Sequence, residues 1–154
     1  MTWPPHITVA TIVTQDDTYL MVEEQQLGRL VLNQPAGHLD PGESLVAGAA
    51  RETLEETCWE VNIEGLVGAC LYTPPAGDIT YMRTTFFGTP QRHREDLQMD
   101  EDIIRALWLT YEEMLERTQD MRSPRVLETV EQYRRGHRYP LSFIYGGQGH
   151  APGR

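Results

Sequence analysis

The densest run of chemistry-bearing residues lies between Gly37 and Glu56: Gly37-His-Leu-Asp-Pro-Gly-Glu43, seven residues, then Arg51-Glu52-Thr-Leu-Glu55-Glu56. On a helix, Glu52, Glu55 and Glu56 fall at i, i+3 and i+4, so at 3.6 residues per turn they share one face. Carboxylates held so close repel one another and raise one another's pKa. Nothing structural requires them there. A hard divalent cation, Mg²⁺ or Mn²⁺, explains them: it takes oxygen donors, and Mg²⁺ is commonly shared between carboxylates and substrate phosphates. Glu43 precedes the helix and can reach the same place. Arg51 can pair with Glu55 one turn on and orient it. The plainer reading is a solvated acidic helix face. Against it stand six fixed letters at fixed spacing, a coincidence on the order of 10⁻⁷ per window.

These groups need a helix and something to hold it. Residues 44–57 read as that helix. Ser44 can cap it, and Val46, Ala49, Ala50, Thr53 and Leu54 form an apolar stripe. Gly48 inside it costs about 1 kcal/mol against alanine, tolerable where close packing on a sheet demands it. Alternating or β-branched runs predict strands at 6–13, 19–22, 29–32, 63–72, 79–87 and 104–109. Turn clusters fill 15–18 and 73–78, and 92–102 is a charged loop. Thr110 to Glu113 is a capping box for a short helix, and Ser123-Pro124 starts a last one. Val126, Leu127, Val130 and Tyr133 stripe that last helix, and Gly136 closes it. Interleaved strands and helices predict an α/β sandwich around a mixed sheet, in one domain over 1–145. A glycine-rich tail at 146–154 reads as flexible.

The chain has 154 residues and a formal charge of −10, and all 13 basic residues are arginine. Without lysine there is no Schiff base, P-loop lysine or lysine general base. A sequence pI near 4.9 argues against nucleic acid and anionic membranes as partners. An anionic small-molecule substrate would need a metal or a local arginine cluster to offset repulsion. No run approaches the length of a membrane span, and the first residues lack signal-peptide character. Cys58 and Cys70 have no disulfide or zinc spacing, so a reduced, cytoplasmic protein is expected. Nothing forces a dimer, which favours a monomer.

The Gly37–Trp59 stretch resembles the Nudix box, Gly-x5-Glu-x7-Arg-Glu-U-x-Glu-Glu-x-Gly-U, where U is a bulky apolar residue. The six glycine and polar positions through Glu56 match. Thr53 stands at the first U and Cys58 replaces the last glycine, so Cys58 is either strained or ends the helix differently. The resemblance implies an α/β/α sandwich, dependence on Mg²⁺ or Mn²⁺, and cleavage of a diphosphate linked to another moiety. It implies that Glu52 and Glu56 are the principal metal ligands, Glu55 a further ligand or base, the Gly37 carbonyl a backbone ligand and Glu43 a supporting carboxylate. Glu101 and Asp102 in the later loop are rivals to Glu55 as general base. Asn33-Gln-Pro-Ala-Gly-His38, Arg122-Ser-Pro124 and Arg138-Tyr-Pro-Leu141 are similar to the NudJ-type phosphatase subgroup. That likeness implies pyrimidine and nucleoside di- and triphosphates as substrates, among them hydroxymethylpyrimidine diphosphate and thiamin diphosphate, with orthophosphate released. Leu32 stands where that subgroup has tryptophan. Hydrolysis of other nucleoside diphosphate derivatives such as ADP-ribose, or ligand sensing without catalysis, are the alternatives.

Further candidates carry two readings each. Arg29 and Arg83 could hold phosphate or be solvated strand residues. Asn33 and Gln34 could read a pyrimidine edge or form a turn. His38 could bind substrate or make a structural hydrogen bond. Tyr72, Tyr81 and Phe86 could stack on a ring or pack the core. Trp59 and Trp108 are expected in the core. Arg134, Arg135 and Arg138 form a solvated helix end or a clamp.

Overall fold

In the computed structural model, which describes residues 2–145, seven strands and three α-helices alternate much as expected. The 146–154 tail lies outside the described residues. β1 (His6–Gln15) and β2 (Thr18–Gln26) make the first hairpin. Asp16 and Asp17 turn it with φ of 50° and 61°, the pair of positive values that a tight, right-twisted hairpin needs. β3 (Arg29–Asn33) pairs antiparallel with β2, and β7 (Ile103–Thr110) pairs with the other edge of β2. β5 (Trp59–Tyr72) and β6 (Tyr81–His93) are one long hairpin, and β6 runs parallel to β1. The β6 pairing extends past the expected 79–87 because β5 supplies partners as far as Trp59 opposite His93, so polar Arg92 and His93 join the ladder.

β4 (Ala36–His38) carries no alternating pattern and was not foreseen. It pairs antiparallel with β1, Val9 opposite Gly37, and forms the free edge beside the helix that follows. β1 and β2 pair only at Thr14–Tyr19 and Gln15–Thr18, so the leaves β4-β1-β6-β5 and β3-β2-β7 diverge from that hairpin end.

α1 (Leu45–Thr57) starts where Ser44 accepts a hydrogen bond from the Ala47 amide at 3.1 Å. Ala49 packs with Val9, Leu66 and Phe86 in a small core on one face of the first leaf. The larger core joins Ile12, Met21, Leu32 and Val67 to α2 (Tyr111–Glu116) and α3 (Pro124–Arg134) through Met114, Val126 and Val130. Leu32 is wholly buried there. Trp59 and Trp108 are half-buried against each other, edge to face at 5.8 Å, rather than in either core. Arg134 and Arg138 are exposed, lie over the Tyr111 and Tyr133 rings at 4.2 and 4.1 Å, and line a cavity of about 380 Å³ together with Asp16, Asp17 and Tyr19. No helix among the described residues is long and apolar enough to cross a membrane.

Candidate metal centre and its cleft

α1 presents its carboxylates where β4 and the charged loop meet it. Gly37 faces Glu52 so closely that a Cβ at that position would lie 2.2 Å from the Glu52 carboxyl carbon. Only glycine permits that approach, although Gly37 itself is not at positive φ. The loop before β7 docks on the C-terminal end of α1: the Asp100 amide donates to the Glu55 carbonyl at 3.0 Å, and the Arg94 amide to the Cys58 carbonyl at 2.7 Å. Helix carbonyls with no partner inside the helix are thereby satisfied. The docking also delivers Asp100: one oxygen from each of Glu52, Glu55 and Asp100 lies within 4.8 Å of the others.

Cys58 ends α1 at φ 61°, the left-handed turn a glycine makes more easily. The helix therefore ends as the box implies, with the strain that the sequence suggested, and the carboxylate face is unaffected.

Arg51 organises this face. Its Nε and Nη2 donate to the two Glu43 oxygens at 2.7 and 2.8 Å. Its Nη1 reaches Glu52 at 2.8 Å and Glu55 at 3.1 Å, and Nη2 also reaches the His38 carbonyl at 3.0 Å. The guanidinium holds the Glu43 carboxyl below the usual carboxylate range. Glu52 is only 12 % exposed, and burial raises its pKa despite Arg51.

Glu56 is buried, and its Oε1 accepts a hydrogen bond from the Ala36 amide at 2.8 Å. Burial pushes its pKa up to about 9; the Ala36 amide works against that, and the nearby charges of Glu24, Glu52 and Asp100 add to it. A buried carboxyl among other acids ionises readily only when a cation joins the group. The donor set, four acidic side chains and no nitrogen or sulfur, suits a hard dication.

The remaining candidates divide. Arg83 on β6 is half-buried, with Nη2 donating to Gln34 Oε1 at 2.6 Å and to Asn33 Oδ1 at 3.4 Å. Its Nε is buried with no hydrogen-bond partner among the described residues, and burial draws its pKa down to about 10. Gln34 is itself buried, and its Nε2 donates to the Val126 carbonyl at 2.7 Å. Both ends of that amide therefore serve the protein, fixing Arg83 to the start of α3. Tyr72 lies under Arg125 at 5.3 Å, and Phe86 is core.

His38 Nε2 and His6 Nδ1, both exposed, are 3.1 Å apart beside half-buried Tyr81. Arg29, at the start of β3, donates to the Gln119 carbonyl. Four residues of strand, about 13 Å, separate it from Asn33 at the cleft end. Glu101 and Asp102 are exposed and stand outside the three-carboxylate group, which Asp100 joins from the same loop. The sequence reading names Glu101 and Asp102 and misses Asp100, whose one signal is its place in the same acidic run; the docking of the loop backbone sets Asp100 toward α1.

The cleft holds a further pair that sequence reasoning missed. Glu24, buried on β2, accepts a hydrogen bond from Arg122 Nη1 at 2.5 Å. Glu24 sits opposite Val31 and Ile103 across two strands, and only that pairing brings it near Glu56.

A model of the NUDIX domain matches residues 4–130. Phosphatase NudJ of Escherichia coli strain K12 is 36 % identical over 140 residues, covering 91 % of this chain and 90 % of that protein. A solved structure described as a NUDIX hydrolase from Nitrosomonas europaea superposes with a TM-score of 0.90 at 40 % identity, covering 93 % of this chain and 97 % of that one. The crystal structure of a UDP-X diphosphatase shares the fold at 18 % identity, with a TM-score of 0.72 over 91 % of this chain and 68 % of the other.

Proposed function

The chain belongs to the Nudix hydrolase family, and from that premise we propose that it is a Mg²⁺- or Mn²⁺-dependent phosphatase of small pyrimidine or nucleoside di- and triphosphates that releases orthophosphate. The observation that carries this reading is the convergence of Glu52, Glu55 and Asp100 beside buried Glu56. The likeness to Phosphatase NudJ over nine-tenths of both chains supports a phosphatase outcome.

In this reading Glu52, Glu55 and Glu56, with the Gly37 carbonyl, hold the cation, and Asp100 joins them from the loop. A hard dication, when bound there, neutralises phosphate charge and polarises the bond under attack. Arg51 and Glu43 keep the helix carboxylates aimed. Arg83, anchored by Gln34, meets phosphate oxygens at the cleft end. His38 flanks the entry beside Tyr81, and Arg29 has no part in it. Where Glu55 does not ligate, its carboxylate, open to solvent, takes the proton of the attacking water; Glu101 and Asp102 are the alternatives for that step.

Product identification tests the proposal. Hydroxymethylpyrimidine diphosphate, thiamin diphosphate, a nucleoside triphosphate and ADP-ribose are incubated side by side with Mg²⁺, with and without chelator. Orthophosphate from the first three, abolished by chelation, is the expected result. Cleavage confined to ADP-ribose, or turnover indifferent to chelator, overturns it.

A further inference from the structure

The run Arg122-Ser-Pro124 leads into α3, and two of its three residues serve the helix: Ser123 caps it and Pro124 is its first residue. Arg122 turns elsewhere. Its amide donates to the Leu32 carbonyl at 2.9 Å and Met121 bridges to Leu32, so the segment is pinned beside β3. Its side chain reaches Glu24 on β2, with Nη1 2.5 Å from Oε2, and Glu24 is its one partner among the described residues.

Glu23 and Glu24 are consecutive on β2 and so face opposite sides of the sheet. Both are buried, but their partners differ. Glu23 is closed off by two arginines, Arg105 and Arg117. Glu24 has Arg122 alone, and that side chain stays 45 % exposed against 7 % for Glu24. Such a pair adds little stability, because desolvation of the carboxylate offsets the attraction. What it does is fix a guanidinium. With Nη1 tied down, Nε and Nη2 are free, and these two donors form the edge that takes two oxygens of one anion side by side.

The pair stands beside the metal centre. Gln25, next on β2, donates its amide to the Asp102 carbonyl at 3.4 Å, and the same loop brings Asp100 to Glu52 and Glu55. Glu24 is near enough to Glu56 for its charge to help raise the Glu56 pKa. A second arginine meets the same end of β3, but Arg83 commits Nη2 to Gln34 and Asn33, and its Nε is buried. Of the two, Arg122 is the one with unpaired donors near the surface. An unpaired acid beside the metal ligands would repel an anionic substrate; tied to Arg122, Glu24 instead holds a cation there.

We propose that Arg122 is a substrate-binding residue whose Nε–Nη2 edge takes oxygens of a phosphate that the metal ion does not cover, and that Glu24 is the positioning residue that holds it there. The assignment rests on the diphosphate substrate proposed above, but its first test does not depend on turnover. Methylenediphosphonate, whose bridge cannot be hydrolysed, is titrated calorimetrically into the protein with Mg²⁺ present. Arg122→Gln is expected to weaken its Kd about ten-fold or more. That variant leaves Glu24 buried without a partner, so Glu24→Gln/Arg122→Gln, which removes the stray charge, is measured beside it, both checked by circular dichroism. The double variant is expected to bind as weakly as Arg122→Gln. Glu24→Gln alone weakens binding about three-fold and adds nothing where Arg122 is already gone. Wild-type affinity in the double variant means that the pair only supports the fold, and overturns the proposal. Equal affinity in all four proteins, or no binding by the wild type, overturns it as well.

In turnover of a nucleoside diphosphate, Glu24→Gln is expected to raise KM about three-fold while kcat moves less. A fall in kcat at constant KM overturns the positioning role of Glu24. Arg122-dependent binding without any hydrolysis by the wild type sinks the phosphatase and leaves Arg122 standing. Hydrolysis that Arg122→Gln does not change does the reverse.

Discussion

Gly37 and Glu52 touch across the edge of the sheet, and the contact exists because one of them has no side chain. Gly37→Ala forces the Glu52 carboxylate aside, since a Cβ 2.2 Å from its carboxyl carbon has no room. The flexible end of Glu52 can yield without unfolding the protein. The expected outcome is a turnover lower by about ten-fold or more, with an unchanged circular dichroism spectrum; a fully active, normally folded Gly37→Ala enzyme contradicts the site. Glu56 admits a sharper test. Glu56→Gln is expected to lower turnover by orders of magnitude with folding intact, and near-native rates remove Glu56 from the metal site. Its pH dependence has a definite sign. Without metal, burial lifts the Glu56 pKa in the folded chain from about 4.5 to about 9. A carboxyl raised on folding contributes stability that is fully present below the unfolded value and is lost as pH rises through the folded one. In EDTA, wild-type Tm should therefore fall relative to Glu56→Gln between pH 5 and pH 9. A difference in Tm that stays flat over that range excludes the buried neutral acid.

α1 is the element on which the site depends, and its two ends differ in kind. At the start, Ser44 satisfies the Ala47 amide, an ordinary cap. Ser44→Ala is expected to cost about 1 kcal/mol, or about 2–4 °C in thermal unfolding; no measurable shift denies the cap a role. At the far end the helix stops at a left-handed cysteine, and the docked loop accounts for its last carbonyls. The carboxylates lie between these two ends. Helix register was legible because Glu52, Glu55 and Glu56 follow the 3.6-residue period. β4 was not legible, because three residues containing a glycine carry no period at all. Its pairing with β1 is nonetheless what sets Gly37 against Glu52 and the Ala36 amide against Glu56.

For the molecule as a whole, a charge of −10 without a single lysine must be reconciled with an anionic substrate. The acids that would oppose it are gathered where a cation would offset them, and arginines meet them in defined pairs. Glu23 shows the same economy away from the site: buried on β2, it is bound by Arg105 at 2.8 Å and Arg117 at 2.9 Å, which hold its pKa below the usual range. A dication that binds only the folded chain stabilises it by about 2.7 kcal/mol at a hundred times Kd, or about 5–10 °C in Tm for a chain of this size. Mg²⁺ or Mn²⁺ should produce that rise in the wild type and much less in Glu52→Gln; equal shifts in both place the ion elsewhere.

Residue identity and spacing alone determined that three glutamates share one helix face, that Arg51 stands one turn from Glu55, and that strands and helices alternate. All of these follow from local backbone geometry, which repeats along the chain. Tertiary structure alone decided that Asp100 stands beside Glu52 and Glu55, that Gln34 bonds both Arg83 and the Val126 carbonyl, and that Arg29 meets the Gln119 carbonyl. Each of those depends on strands and loops distant in sequence meeting in one register. Such meetings are governed by which backbone groups find partners across the fold, and no local period records them.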